Sequence, residues 1–328
     1  MHPLYISIAA YLCFTAFNIY GVKAAASFEL VMTLIAVSEL LVFVVFSLPH
    51  VHASHLSLNA FPHGVEGIFV ALPFAIWFFL GIEGVANLAE ETVHPQRNIY
   101  LGFGSAMITI VFLCISVFIS AVGIGGWEKI VFSIAGASPS NSPLPLALIQ
   151  LVDQSHFLYK MLVVIGLIGL IASFHGLILA GSRATYEFGR VGFAPKIVGR
   201  INPTFNTPVW ALLINMLIGI IALCSGKTGE LITISCFGAL SLYIIAMIAM
   251  MQLRRRHPDL HRPFKTPLYP LAPYTALLIA IVALIVMTIY NLKLSTIYFG
   301  MLMLSLLWFK WMVTVNNRKN ALSYEAQP

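Results

Sequence analysis

Glu83 stands in "FFLGIEGVANLAEE" (78–91), a carboxylate flanked by Gly81 and Gly84. Each glycine weakens a helix by about 1 kcal/mol relative to alanine, so the pair lets the backbone open where the charge sits. An opened segment offers free N–H and C=O groups beside an ionisable acid. Such a group can hold a small cationic solute or exchange a proton, whereas a plain kink for packing is the bland alternative. Trp77, six residues before Glu83, can present a ring face to a cation or serve as an ordinary packing residue. Glu39, in "VSELLVF" (37–43), is a second acid within an apolar run. His175 and Ser173 lie together in "ASFHGLILAGSR" (172–183), where a neutral histidine bonded to a neighbouring helix competes with a relay role.

Enzyme chemistry finds little support. No serine, cysteine or threonine has a base at usable spacing, and a membrane-embedded hydrolase pairing Glu83 with His175 is the one enzymatic alternative. Gly123, Gly125 and Gly126 end an apolar run and so do not make a phosphate loop. His50, His52, His55 and His63 crowd one loop without a ligand pattern and read as solvated. Cys13, Cys114, Cys224 and Cys236 all fall in apolar runs and read as buried thiols. No metal and no cofactor is expected.

These candidates need elements to position them, and composition says which solvent surrounds those elements. The chain of 328 residues is 59% hydrophobic and 9% charged, with mean hydropathy +0.92. Soluble domains are about one-quarter charged, so a bilayer is the expected surroundings. The net charge of +6 is spread along the chain, without the basic face that nucleic acid would require. A spanning helix needs about 20 apolar residues. Nine runs qualify: 4–20, 28–48, 66–90, 101–124, 158–182, 208–226, 230–252, 270–290 and 295–313. The first lacks the marks of a cleaved leader and is expected to be a retained span. The expected fold is therefore an all-α integral membrane protein of about nine helices, with a discontinuous helix at 66–90. Inside the bilayer Glu39 would cost about 2.5–3.5 kcal/mol unless it faces a partner or a wet cavity.

If loops alternate sides, fourteen cations share one side: Lys23, Arg97, Arg183, Arg190, Lys196, Arg200, Arg254, Arg255, Arg256, Arg262, Lys265, Lys310, Arg318 and Lys319. Only four, Lys129, Lys160, Lys227 and Lys293, share the other. Positive loops stay cytoplasmic, which puts the C-terminus inside and the N-terminus outside. A faint echo also appears: "YGVKAAASFEL" (20–30) and "SGKTGEL" (225–231) each place Gly, Lys and Glu-Leu in a loop between two runs. The two loops would lie on opposite sides, as an inverted repeat requires.

The chain resembles the amino acid–polyamine–organocation superfamily of secondary transporters. The resemblance is carried by "YGVKAAASFE" (20–29), "FFLGIEGVANLAEETVHPQRNI" (78–99), "GSRATYEFGRVGFAPK" (181–196), "NTPVWALL" (206–213) and "HPDLHRPFKTPLYPLAP" (257–273). Within it, "PFAIWFFLGIEGVA" (73–86), "SPLPLAL" (142–148) and "GLIASFHGLILAGSR" (169–183) are most similar to the ethanolamine permease branch. This implies a permease of the bacterial inner membrane, moving a small amine or amino acid, ethanolamine first, coupled to protons or working by exchange. It implies that Phe79–Gly84 is the unwound middle of a sixth helix. Trp77, Phe79, Leu80, Gly81, Ile82 and Gly84 would then line the substrate, with Glu83 or Glu39 coupling and His175 and Ser173 in support.

The same resemblance starts this chain at the family's fourth helix. A single transmembrane domain, 1–328, would comprise a remnant of the first five-helix repeat (1–48) and a complete second repeat (66–252). Two C-terminal helices (270–313) and a cytoplasmic tail (314–328) would follow. The competing expectation is an inactive membrane fragment of such a permease. The topology is open to a direct check: a reporter after Pro328 should prove cytoplasmic and one in the 49–64 loop external, and two reporters on the same side would contradict nine spans.

Overall fold

A computed structural model describes residues 3–20, 22–88, 92–134, 138–262, 265–266 and 268–325. Every regular element among the described residues is helical. Hydrocarbon cannot hydrogen-bond a peptide group, so a chain this apolar satisfies its backbone within each segment. In order the helices are α1 (Pro3–Tyr20), α2 (Val22–Ser47), α3 (Ala53–Ser57), α4 (Gly64–Trp77), α5 (Pro95–Gly125) and α6 (Trp127–Val131). They continue as α7 (Pro143–Leu148), α8 (Phe157–Arg190), α9 (Val209–Cys224), α10 (Thr228–Arg256), α11 (Leu271–Tyr290) and α12 (Leu292–Glu325). Two 3-10 segments, Leu48–His50 and Ile82–Leu88, interrupt the series.

Seven helical stretches are long and apolar enough to cross a membrane: Glu29–His50, Gly64–Val85, Pro95–Gly125, Phe157–Arg190, Thr228–Arg256, Leu271–Tyr290 and Leu292–Trp311. Two shorter apolar helices, Leu4–Tyr20 and Val209–Cys224, supply the rest of the nine runs. At 1.5 Å per residue each is about 25 Å long, close to the lower limit for a hydrocarbon core of about 30 Å. Residues 314–325, expected as a tail, prolong α12. The apolar faces of Leu34, Ile108, Phe112, Leu167, Ile221 and Ile245 point outward. A continuous greasy exterior of this kind fits lipid rather than water.

The helices pack as two groups. One gathers α1, α2, α5, α8 and α9, capped at one end by α3, α6 and α7 around a core of Phe43, Val122, Leu148 and Leu162. The other gathers α4, α10, α11 and α12 around Phe237, Leu240 and Met287. Without a hydrophobic drive between helices in lipid, small residues and interhelical hydrogen bonds bring them together. Gly169 of α8 lies against Ala36 of α2, and Gly176, one heptad on, lies against Glu29, one heptad back. That pairing makes α2 and α8 antiparallel neighbours. Gly219 of α9 leaves room for the Tyr11 ring, and the Tyr11 hydroxyl donates to the Asn215 carbonyl at 3.2 Å. Asn215 Nδ2 lies 2.7 Å from Thr185 Oγ1 and 3.2 Å from the Gly181 carbonyl, which ties α9 to α8.

Two expectations need correction. The four thiols are not all buried: Cys236 is, Cys114 is half-buried, and Cys13 and Cys224 are exposed. An outward face that meets lipid tolerates a weakly polar thiol as readily as a core does, so an apolar run does not by itself imply an interior. The stretch 20–30 is not a loop either, since α2 begins at Val22 and already contains Glu29.

Candidate functional site

The helical ladder of α4 fails at Trp77 in identifiable steps. Phe79 N–H reaches the Ile76 carbonyl at 3.0 Å, and Leu80 N–H reaches that of Trp77 at 3.2 Å, so i−3 bonds replace i−4 bonds. Gly81 then adopts φ +93°, a region that residues with a Cβ rarely enter. The chain resumes only as the 3-10 segment Ile82–Leu88, not as a second α-helical half. The run expected at 66–90 is thus discontinuous, with a gap over 78–81 that ends on Gly81.

Glu83 holds this gap together. Its Oε2 accepts the Gly81 N–H at 3.2 Å and the Tyr243 hydroxyl of α10 at 3.2 Å. A donor orphaned by the break thereby finds an acceptor two residues on, and the acceptor is anchored to a different helix. Gly84 N–H closes on the Gly81 carbonyl at 3.0 Å. Among the described residues, the carbonyls of Phe79 and Leu80 accept no hydrogen bond. Both glycines also face α8. A Cβ on Gly84 would lie 3.2 Å from the Ala180 Cβ, and one on Gly81 3.4 Å from Leu177 Cδ2. Before the break α4 packs on α10 and α11; after it the 3-10 segment packs on α5 and α8. The break therefore carries the chain from one helix group to the other.

A cleft of about 260 Å³ opens at this crossing, between the broken segment, α2 and α8. Leu80, Gly81 and Gly84 form one wall, Ser173, Gly176 and Leu177 another, and Glu29 of α2 supplies the carboxylate. Gly176 is what admits that acid, because a Cβ there would collide with Glu29 Oε1. Among the described residues nothing hydrogen-bonds or ion-pairs with the Glu29 carboxylate. The site thus combines one engaged acid, Glu83, with one unengaged acid, Glu29.

The structure sorts the expected residues. Leu80, Gly81, Gly84 and Ser173 share the cleft, and Glu83 stands immediately behind it. Phe79 and Ile82 belong to the broken segment but do not line the cleft. Trp77, at the last turn of α4, is 40% exposed and lies outside it. His175 points the other way: it is fully buried, with its ring edge-on to Phe14 at 6.2 Å and Phe17 at 5.6 Å of α1. Glu39 is buried on α2 away from the cleft. Glu29, Gly176 and Tyr243 were missed. Glu29 sits at the margin of its apolar run, and only the packing of α2 on α8 sets it opposite the break. An acid one heptad and a half from Glu39 on the same helix was the available signal.

Residues 2–313 match a family model described as amino acid permease. A methylthioribose transporter of Bacillus subtilis is 27% identical over 268 residues, covering 80% of this chain and 54% of that protein. A branched-chain amino acid permease of the same organism is 23% identical, covering 79% and 53%. A cystine/glutamate transporter of Pongo abelii is 27% identical, covering 64% and 39%. The chain spans about half the length of the first two relatives.

The glycine geometry yields a graded expectation. Gly84→Val should lower stability by about 1–3 kcal/mol through overpacking on Ala180, and Gly81→Ala by about 1–2 kcal/mol through its left-handed backbone. Gly104→Ala in α5, where a Cβ meets nothing within 4 Å, should be neutral or stabilising. Thermal unfolding in detergent would show the order, and equal losses at all three positions would refute it.

Proposed function

Since the chain belongs to the amino acid permease family, we propose that it serves secondary transport of a small solute bearing an ammonium group, bound in the cleft at the α4 break. The observation that carries this reading is the Glu29 carboxylate, unengaged among the described residues, in a cleft of about 260 Å³ whose walls also carry Ser173 and the opened backbone at Leu80 and Gly81. An ammonium donates several hydrogen bonds and seeks acceptors, and these groups are acceptors. The volume lies below the range of pockets for drug-sized ligands, which suits a solute of a few heavy atoms. Ethanolamine is the solute that the sequence resemblance favours. Amino acids are the second reading, favoured by the branched-chain amino acid permease among the relatives.

Broken helices form solute and ion sites in many secondary transporters, and the break at Gly81 supports reading the cleft beside it in the same way. In this reading Glu83 keeps the opened segment in shape, and proton coupling or exchange falls to Glu83 or to Glu39. Trp77 adjoins the turn but lies outside the cleft, so a cation-facing role for its ring would fall at the approach to the site. The Lys- and Arg-rich loops and the C-terminus are assigned to the cytoplasmic side of a bacterial inner membrane by charge bias.

Uptake by proteoliposomes containing the chain tests this. Labelled ethanolamine or a neutral amino acid should accumulate, and Glu29→Gln should reduce that uptake about tenfold, as expected for loss of a charged hydrogen-bond acceptor. Competition by amino acids but not by ethanolamine would select the second reading. Undiminished uptake by the Glu29→Gln variant would remove the cleft from the pathway.

A further inference from the structure

A second cavity, of about 470 Å³, lies at the junction of α10 and α11, far in sequence from the break. It is lined by Arg254, Arg255, Arg262, Lys265, Thr266 and Tyr269. Four cations around one hollow repel each other unless something negative joins them. Among the described residues no carboxylate forms an ion pair with any of the four. Cations at the end of a span commonly reach toward headgroups without any built site. Here the three arginine side chains are held in place. The Arg254 guanidinium lies 3.9 Å above the Tyr269 ring, which covers one face and leaves its in-plane donors open. Arg255 Nη2 donates to the Tyr274 hydroxyl at 3.1 Å. Arg262 donates from Nη1 to the carbonyls of Pro258 and Leu260, both at 2.9 Å, and from Nη2 to that of His257. It thereby fastens the link that leaves α10.

The hollow's position identifies the ligand. Arg254–Arg256 close one candidate membrane span and Leu271 opens the next, so the cavity sits where a bilayer's polar layer meets the bundle. A preformed cationic cavity at that depth meets lipid phosphate before it meets anything else, and basic pockets beside spanning helices are suited to anionic headgroups. We propose that the cavity formed by Arg254, Arg255, Arg262 and Lys265 is a binding site for the phosphate of an anionic membrane lipid. A free phosphate ion shares this chemistry but would lack the acyl chains that keep a lipid at the rim. The open donors of Arg254 and the Lys265 ammonium are the groups available to bind it. Arg255 and Arg262 are partly engaged by protein oxygens and shape the hollow.

The detergent-purified chain, titrated with short-chain phosphatidylglycerol and separately with phosphatidylcholine, should retain phosphatidylglycerol preferentially when bound lipid is counted by native mass spectrometry. The pair Arg254→Gln and Lys265→Gln should weaken that retention about 25-fold, near fivefold for each surface charge removed. The pair Arg254→Lys and Lys265→Arg should retain most of it, which separates loss of charge from loss of fold. Removing two cations elsewhere, by Lys196→Gln and Arg200→Gln, should leave it unchanged. Equal loss in that control, or none in the cavity pair, would overturn the site. Displacement of the lipid by inorganic phosphate at matching concentration would overturn the lipid assignment in favour of a free anion.

Discussion

An unpaired peptide group in hydrocarbon costs several kcal/mol, and this protein is organised by where it accepts that exposure. Its chain is helical nearly everywhere the bilayer would surround it, because a helix satisfies its backbone without help. Among the described residues the exception is 78–81, where α4 gives up its ladder between two helix groups. Glu83 makes the exception tolerable by accepting the Gly81 N–H and by fixing itself to Tyr243. The left-handed backbone at Gly81 and the close approach of Gly84 to α8 are further conditions of the same break.

From that local accommodation comes the division between two carboxylates. Glu83 already has donors from its own turn and from α10, and these brace the opened segment. Glu29 approaches the turn from α2, admitted by Gly176 in α8, and has no such donors among the described residues. One acid therefore builds the opening and the other is left to face whatever enters it. The match spans about half the length of the methylthioribose transporter and of the branched-chain amino acid permease.

Much of this was legible in the sequence for a physical reason. Runs near 20 apolar residues have few fates other than spanning, and a Gly-x-Glu-Gly step inside one announces both weakness and charge. The gap at Gly81 therefore fell where the residues indicated. What the sequence hid depends on contacts between distant helices. Glu29 becomes part of the site only because Gly176 lets α2 and α8 approach closely. His175 turns toward Phe14 and Phe17, away from the cleft, and spacing within α8 does not reveal which way it turns. The thiols were misjudged because, in a bilayer, apolar surroundings lie on both sides of a helix.

Glu83 and Tyr243 act as one unit in sustaining the broken segment. A double-mutant cycle with Glu83→Gln and Tyr243→Phe, followed by unfolding in detergent, measures it directly. The losses should be non-additive, with a coupling of about 0.5–3 kcal/mol between the two positions. Strictly additive effects would show that the carboxylate and the hydroxyl act independently, and would contradict the account.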